Sequence, residues 1–202
     1  LGVDNILALR GDPMKNESTF VPTVGGNAYA LDLIKQINEM NNGQYLYEET
    51  KNSPSNFCIG TAGYPEKHFE AMNLSTDMKH LKKKVDAGAE FIVTQLFYDN
   101  EKFFDFVKKC REIGIKVPII PGIKPITNLR HLSFIPKFFH VNFPESFSNE
   151  LEKCKTDEEI KRVGIEWTTA QCKELVKADI PVIHFYTMGR GTAVKNIAKE
   201  IF

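Results

Sequence analysis

The sequence predicts an α/β fold built on a parallel sheet. Short apolar runs alternate with amphipathic segments along the whole chain. The runs are continuous rather than alternating in polarity, as strands buried on both faces are. A third observation, the gathering of polar residues at the carboxyl end of run after run, narrows the architecture.

The first run is Ile6–Leu9. A Gly/Pro/Asn-rich stretch from Pro13 to Asn27 follows, too punctuated to be a regular element. Leu31, Ile34, Ile37 and Met40 form one stripe and predict a helix over Ala28–Met40. Residues 41–56 read as a polar inserted loop. The second run spans Phe57–Glu66. A helix over Met78–Ala87 follows, with Leu81 and Val85 inward and Lys82 and Lys83 outward. Thr76 or Asp77 would cap its start, and Gly88 its end. The third run is Phe91–Phe97. The helix after it, Glu101–Ile113, carries Phe103, Phe106, Val107 and Cys110 on one face and stops at Gly114. The fourth run, Val117–Ile120, is closed by Pro121-Gly122. Short helical segments are expected within 128–165, and a longer helix over Gly164–Ala178. Val182–Tyr186 is the fifth run, and a helix over Thr192–Ile201 ends the pattern.

Arg10-Gly11-Asp12 stands at the end of the first run, and Tyr64-Pro65-Glu66 with His68 at the end of the second. The third carries Gln95, then Tyr98-Asp99. The fourth leads into Ile123-Lys124-Pro125. The fifth holds His184 and leads through Tyr186 to Arg190. A (β/α)8 barrel assembles its site from the ends of several strands in this way. A doubly wound open sheet gathers its ligand at one switch point, often beside a Gly-rich first turn, and no GxGxxG occurs here. The barrel is the favoured architecture. An adhesive role for Arg10-Gly11-Asp12 would need an exposed loop tip on a secreted protein, so the end of a buried strand is the better reading. Gln95 and His68 are open to a structural or a site role. His184, inside an apolar run, reads as a hydrogen-bonded core histidine, and at most one of Lys82, Lys83 and Lys84 is expected to matter.

Composition narrows the partners. The 202 residues are 42% hydrophobic and 26% charged, with 26 Lys+Arg against 26 Asp+Glu. Zero net charge favours neither nucleic acid nor an anionic membrane. No apolar stretch approaches the roughly 20 residues that span a bilayer. Cys58, Cys110, Cys154 and Cys172 lack metal-ligand spacing and read as reduced thiols. A cytoplasmic protein with small-molecule partners and no metal is expected, and a homo-oligomer is left open.

Six segments in order, LALRGD, AYALDL, AGYPEKH, STDMKHLKKKVDAGAEFIVTQLFYD, IIPGIKPITN and HFYTMGR, resemble the methylenetetrahydrofolate reductase family. The resemblance implies a flavoenzyme on a (β/α)8 TIM barrel, present here as an incomplete barrel covering about strands 4 to 8. It implies FAD as cofactor and NADH or NADPH as co-substrate. Methylenetetrahydrofolate would be reduced to methyltetrahydrofolate with ping-pong kinetics, in the one-carbon metabolism that serves methionine biosynthesis. The flavin would carry the redox chemistry and the protein would position it.

The family's pattern also implies roles by position. Leu9, Arg10, Gly11 and Asp12 match the strand end beside the flavin. Asp12 would lie near the flavin pyrimidine edge and the pterin, where its negative charge makes reduced flavin a readier hydride donor. Tyr29, Ala30, Ala62, Tyr64 and His68 match flavin-contacting positions. Asp77 and Lys84 match residues that hold the ribityl, phosphate or ribose part of FAD, and a lysine suits phosphate. Gln95 matches the residue that bonds the pterin. Leu129 stands where an aromatic often packs on substrate, so apolar contact remains and stacking does not. Arg190 matches an arginine near the aminobenzoyl-glutamate end of the folate. Asp12 and Gln95 are thus the expected catalytic positions.

A full barrel needs eight strands and the sequence shows five. The family's first three βα units, with a glutamate acting as general acid, are expected upstream of the match. No residue here matches that glutamate, and Glu66 is not a substitute. A glutamate at the end of the first barrel strand would separate a reductase from a second class, a non-catalytic flavin-carrying barrel subunit of a larger complex. Ala89 is expected in a tight helix-to-strand turn, where a larger residue would loosen FAD indirectly through the elements carrying Asp77 and Lys84.

Overall fold

The computed structural model describes residues 2–14, 17, 19–46 and 53–202. Part of the expected polar loop, residues 47–52, lies outside them. Twelve elements follow in the order β1 (Asn5–Ala8), α1 (Ala30–Asn41), β2 (Cys58–Gly63), α2 (Leu74–Asp86), β3 (Phe91–Leu96), α3 (Asn100–Glu112), β4 (Ile119–Ile123), α4 (Arg130–Phe139), α5 (Glu145–Glu152), α6 (Asp157–Lys177), β5 (His184–Phe185) and α7 (Thr192–Ile201).

The sheet has five strands in the order β1-β2-β3-β4-β5, and every pairing is parallel. Spatial order equals chain order, so there is no switch point, and the doubly wound alternative falls away. With crossovers of the usual right hand, a parallel sheet in chain order carries its helices on one side, as a section of a barrel does. Side chains divide accordingly. Ile6, Ala8 and Ile59 pack on Ile34 and Ile37 of α1. Ile92, Ile119, Ile123 and Phe185 pack with Met78, Leu81, Phe103, Phe106 and Ile197 of α2, α3 and α7. A third cluster, with Leu96, Ile126, Ile135, Phe147 and Ile160, joins α4, α5 and α6 to the end of β3. The opposite sheet face carries Leu7, Ala62, Val93, Gln95, Ile120 and His184, and Leu7 stays 36% exposed.

Four expectations need correction. The fourth strand is not closed by Pro121-Gly122 but runs through both, from Ile119 to Ile123. A proline inside a sheet normally breaks the ladder, and an irregularity accommodates it. Here the β3–β4 register shifts between Val93 and Leu96, and the Gly122 N–H donates to Thr94 Oγ1 at 2.9 Å. Gly122 is required for the close approach: a Cβ there would lie 2.1 Å from Thr94 O. The second helix starts at Leu74 rather than Met78, because Asn73, not Thr76 or Asp77, caps it by accepting from the Thr76 N–H at 2.9 Å. The long helix starts at Asp157, not Gly164, behind a capping box of Thr156 and Glu159. Gly164 lies inside it because α6 passes against the Ile126 carbonyl, 2.0 Å from where a Cβ would stand. The fifth strand is shorter than Val182–Tyr186, two residues paired only to β4 among those described.

Candidate active site at the strand ends

Arg10 leaves β1 and joins three segments. Its Nη2 donates to Glu70 Oε1 at 2.7 Å, and its guanidinium lies 5.3 Å from the Phe20 ring centroid and 5.9 Å from that of Tyr29. Guanidinium is weakly hydrated and planar, so it can lie on aromatic rings while its edge bonds a carboxylate. Arg10 in turn holds the Glu70 carboxyl below its usual range. Tyr29 is the residue before α1. Its N–H is accepted by Asp32 Oδ2 at 3.0 Å, which anchors the helix start and leaves the ring exposed. Ala30 opens α1. Leu9, half exposed, and Gly11 and Asp12, both exposed, continue from β1.

The loop after β2 turns on itself around Lys67. Lys67 has φ +124°, and its ammonium donates to the carbonyls of His68 (3.0 Å), Phe69 (3.3 Å) and Ala71 (2.7 Å). These three bonds offset a backbone conformation that costs a non-glycine residue about 1–3 kcal/mol. The turn sets the His68 ring edge-on to Tyr64, with centroids 4.6 Å apart. Glu66 is engaged elsewhere in the chain, accepting from the Asn142 N–H at 3.1 Å and from Asn142 Nδ2 at 2.5 Å.

α2 supplies the next two groups. Asp77 and Lys84 are seven residues apart, two helical turns, and so share one face. Asp77 Oδ2 accepts the His68 N–H at 2.9 Å, and Lys84 Nζ donates to Ala62 O at 2.6 Å. Of the lysine triplet Lys84 alone turns to the sheet; Lys82 pairs with Asp86 on the helix surface and Lys83 is exposed. Burial pushes Lys84 down to about 8 against the pull of Asp77. Burial, and then the Asp77 charge, pushes the Tyr64 phenol up to about 12; Arg10 and Asp12 also act on it, with opposite signs. Burial lowers His68 too, with Glu70 and Asp77 opposing. Arg10, Asp12, Tyr64, His68, Asp77 and Lys84 thus form one electrostatic neighbourhood at the ends of β1 and β2.

Gln95, on the open sheet face of β3, lines a small cleft with Tyr64, Glu66, His140 and Val141. Its Oε1 accepts the N–H of Leu96 at 3.0 Å. Leu129 and Arg190 stand apart from this group. Leu129, 39% exposed, precedes α4, and its N–H is held by Asp157 Oδ1 at 2.8 Å. Arg190 is exposed in the turn after β5, its N–H on Thr187 O at 2.9 Å. Sequence reasoning missed Lys67 and Glu70. Nothing local marks them: Glu70 becomes distinctive only when a residue 60 positions earlier reaches it.

The model of the methylenetetrahydrofolate reductase family matches residues 1–201, nearly the whole chain. The chain belongs to the methylenetetrahydrofolate reductase family. A similar family member, methylenetetrahydrofolate reductase (NADH) 1 of Arabidopsis thaliana, is 43% identical over 197 residues, 93% of this chain and 31% of the relative. Another, named a probable methylenetetrahydrofolate reductase (NADPH), from Caenorhabditis elegans, is 38% identical over 204 residues, all of this chain and 28% of the relative. The chain spans about a third of the length of the curated reductases it matches. Among solved structures, an uncharacterized protein from Clostridium thermocellum that binds two copies of 5-methyl-5,6,7,8-tetrahydrofolic acid superposes with a TM-score of 0.50 at 20% identity. That match covers 72% of this chain and 53% of the other, a likeness of fold. No helix among the described residues is long and apolar enough to cross a membrane.

Proposed function

We propose that the chain is the part of a methylenetetrahydrofolate reductase that holds FAD and the folate, and that the whole protein reduces methylenetetrahydrofolate to methyltetrahydrofolate with NADH or NADPH. The observation that carries this reading is the family match over residues 1–201. On this reading the sheet holds about strands 4 to 8 of a (β/α)8 barrel, and the general acid for the folate comes from outside these residues. Glu66, engaged by Asn142, is not a free acid.

The donor set fits FAD. Lys84, half-buried against Ala62 O, is a cation suited to a phosphate or ribityl oxygen, and Asp77 beside it is suited to a hydroxyl. Leu7, Leu9 and Ala62 offer apolar surface at the strand ends for an aromatic ring system, with Tyr29 and Tyr64 flanking it. FAD, when bound, supplies the hydride relay between NAD(P)H and the folate, and ping-pong kinetics follow if the two substrates take turns at one face. Arg10 would fix the β1 end through Glu70, so that Asp12 keeps its negative charge near the ring system. Gln95 has an amide that both donates and accepts, which suits the mixed edge of a pterin. Leu129 would give apolar contact to the folate and Arg190 a charge to its carboxylates.

The test is the visible spectrum of the purified protein with and without FAD, followed by methylenetetrahydrofolate-dependent oxidation of NADH and of NADPH. Bound flavin and folate-dependent turnover are expected of the full-length protein. A folded full-length protein that neither binds flavin nor turns over would sink the reading.

A further inference from the structure

The loop between β2 and α2 carries a cation of its own. Lys67 is half-buried, has φ +124°, and sets its ammonium among three carbonyls of the next four residues: His68 at 3.0 Å, Phe69 at 3.3 Å and Ala71 at 2.7 Å. Its acidic neighbours are bonded elsewhere, Glu66 to Asn142 and Glu70 to Arg10. The charge of Lys67 is therefore spent on backbone. A non-glycine residue keeps such a φ only where its surroundings hold it there. Three carbonyl oxygens directed at one point repel one another unless a positive charge lies among them. Rings of carbonyls take a monovalent cation in place of its water in the same way.

The seat leads by single hydrogen bonds into the candidate site. The His68 N–H donates to Asp77 Oδ2 at 2.9 Å, and Asp77 acts in turn on Lys84. Glu70, which lies between two of the three carbonyl residues, holds Arg10 at 2.7 Å. Its N–H donates to His68 Nδ1 at 3.3 Å. The Ala71 N–H closes the turn on His68 O at 3.1 Å, so that carbonyl serves both the ammonium and the chain. One positive charge thus lies at the centre of the segment that sets His68 and, through Glu70, Arg10. The three carbonyls recognise charge and size, and neither depends on the lysine's covalent tether.

We propose that the Lys67 ammonium is a tethered monovalent cation, and that by seating the carbonyls of His68, Phe69 and Ala71 it positions His68 and Arg10 for the cofactor. The role toward FAD rests on the reductase reading; the seat itself does not. Lys67 is a positioning residue and touches no substrate. With the tether removed, an ammonium or potassium ion can take its place, and the smaller, strongly hydrated lithium ion cannot.

The test uses the full-length protein, wild type and Lys67→Gly, in chloride salts of choline, lithium, potassium and ammonium at one ionic strength. Glycine removes the charge and accepts the positive φ. Two quantities are measured: amide hydrogen exchange over residues 68–72 without FAD, and FAD affinity. In choline or lithium, Lys67→Gly is expected to exchange about tenfold faster and to bind FAD about tenfold more weakly, the size of one charge-assisted hydrogen bond. Potassium or ammonium should restore both, and wild type should not respond to the cation. Lys67→Met keeps a side chain in the seat without its charge, so the loss should appear and no ion should relieve it. Exchange of Lys67→Gly equal to wild type in choline overturns the seat, as does a loss that neither potassium nor ammonium restores, or relief of Lys67→Met by either ion. Faster exchange with unchanged FAD affinity overturns the positioning role. Cation-dependent exchange in Lys67→Gly beside a wild type that binds no FAD overturns the flavin reading and leaves the seat standing.

Discussion

At the ends of β1 and β2 the charges find partners within the chain. Arg10 meets Glu70, Asp77 meets the His68 N–H and acts on Lys84, and the Lys84 ammonium meets the Ala62 carbonyl. At the ends of β4 and β5 the groups are held by neutral partners or by none: His131 Nδ1 accepts the Thr127 N–H at 3.2 Å, its Nε2 lies 3.1 Å from Asn128 Nδ2, and Lys124 has no ion-pair partner among the described residues. Both regions stand at the carboxyl ends of one parallel sheet, yet their electrostatics serve different ends. Matched charges fix positions, because each partner limits where the other can go. An unmatched cation such as Lys124 fixes no neighbour and is left to solvent at its tip.

The sharpest way to break the contrast is to disturb the seam between the two regions. Gly122→Ala places a methyl 2.1 Å from Thr94 O and 2.7 Å from the Tyr186 ring. β3 and β4 must separate, and a loss of about 3 kcal/mol or more is expected. Urea unfolding measures it, and an unchanged midpoint would show that the seam is slack. Ala89→Val acts on the matched side alone. Ala89 is 2% exposed among Ile34, Ile37 and Ile59, and its N–H donates to Lys84 O at 3.1 Å. Overpacking of this kind costs about 1–3 kcal/mol. The strain passes to Lys84, so faster FAD dissociation is expected. FAD dissociation equal to wild type would remove the proposed coupling.

Lys84→Met sharpens the comparison through pH. Lys84 stands at about 8 in the folded chain against an ordinary 10.5. Between these values the unfolded chain binds more protons than the folded one, so the lysine's penalty falls as pH rises. Wild type should therefore gain stability relative to the Met variant from about pH 8 to 10.5, with a constant difference below pH 8. A difference that stays level across that window would show that Lys84 is solvated. The smallest effect belongs to Glu70→Gln. The pair with Arg10 is partly exposed, and such pairs contribute about 0–1 kcal/mol and are screened by salt. The melting temperature should drop slightly, and less in high salt; a large drop would mean that the matched side depends on this one contact.

Much of the fold could be read locally. The bounds of α7 are as the apolar spacing predicts, Thr192–Ile201, and β3 differs from its expected span by one residue. Gly88 and Gly114 stop their helices with positive φ, as their positions imply. The errors fall where a distant contact overrules a local signal. Gly164 looks like a boundary and is instead a point of close packing on Ile126; Pro121-Gly122 looks like a stop and is instead a strand held by Thr94. At the site, the strand ends could be listed from sequence, but not which of them face one another.

By itself the sequence determined the alternation of strands and helices, the parallel sheet and the end of that sheet where polar groups gather. These follow from periodicity and composition within some ten to twenty residues, where the period of an element shows itself. Only the tertiary structure decided that the strands run in chain order, that Glu70 holds Arg10 across 60 residues, and that Tyr186 donates to the Thr94 carbonyl across 92. Whether a charge is matched depends on residues brought near it by folding, and distance in space is the one quantity that position in a chain does not carry.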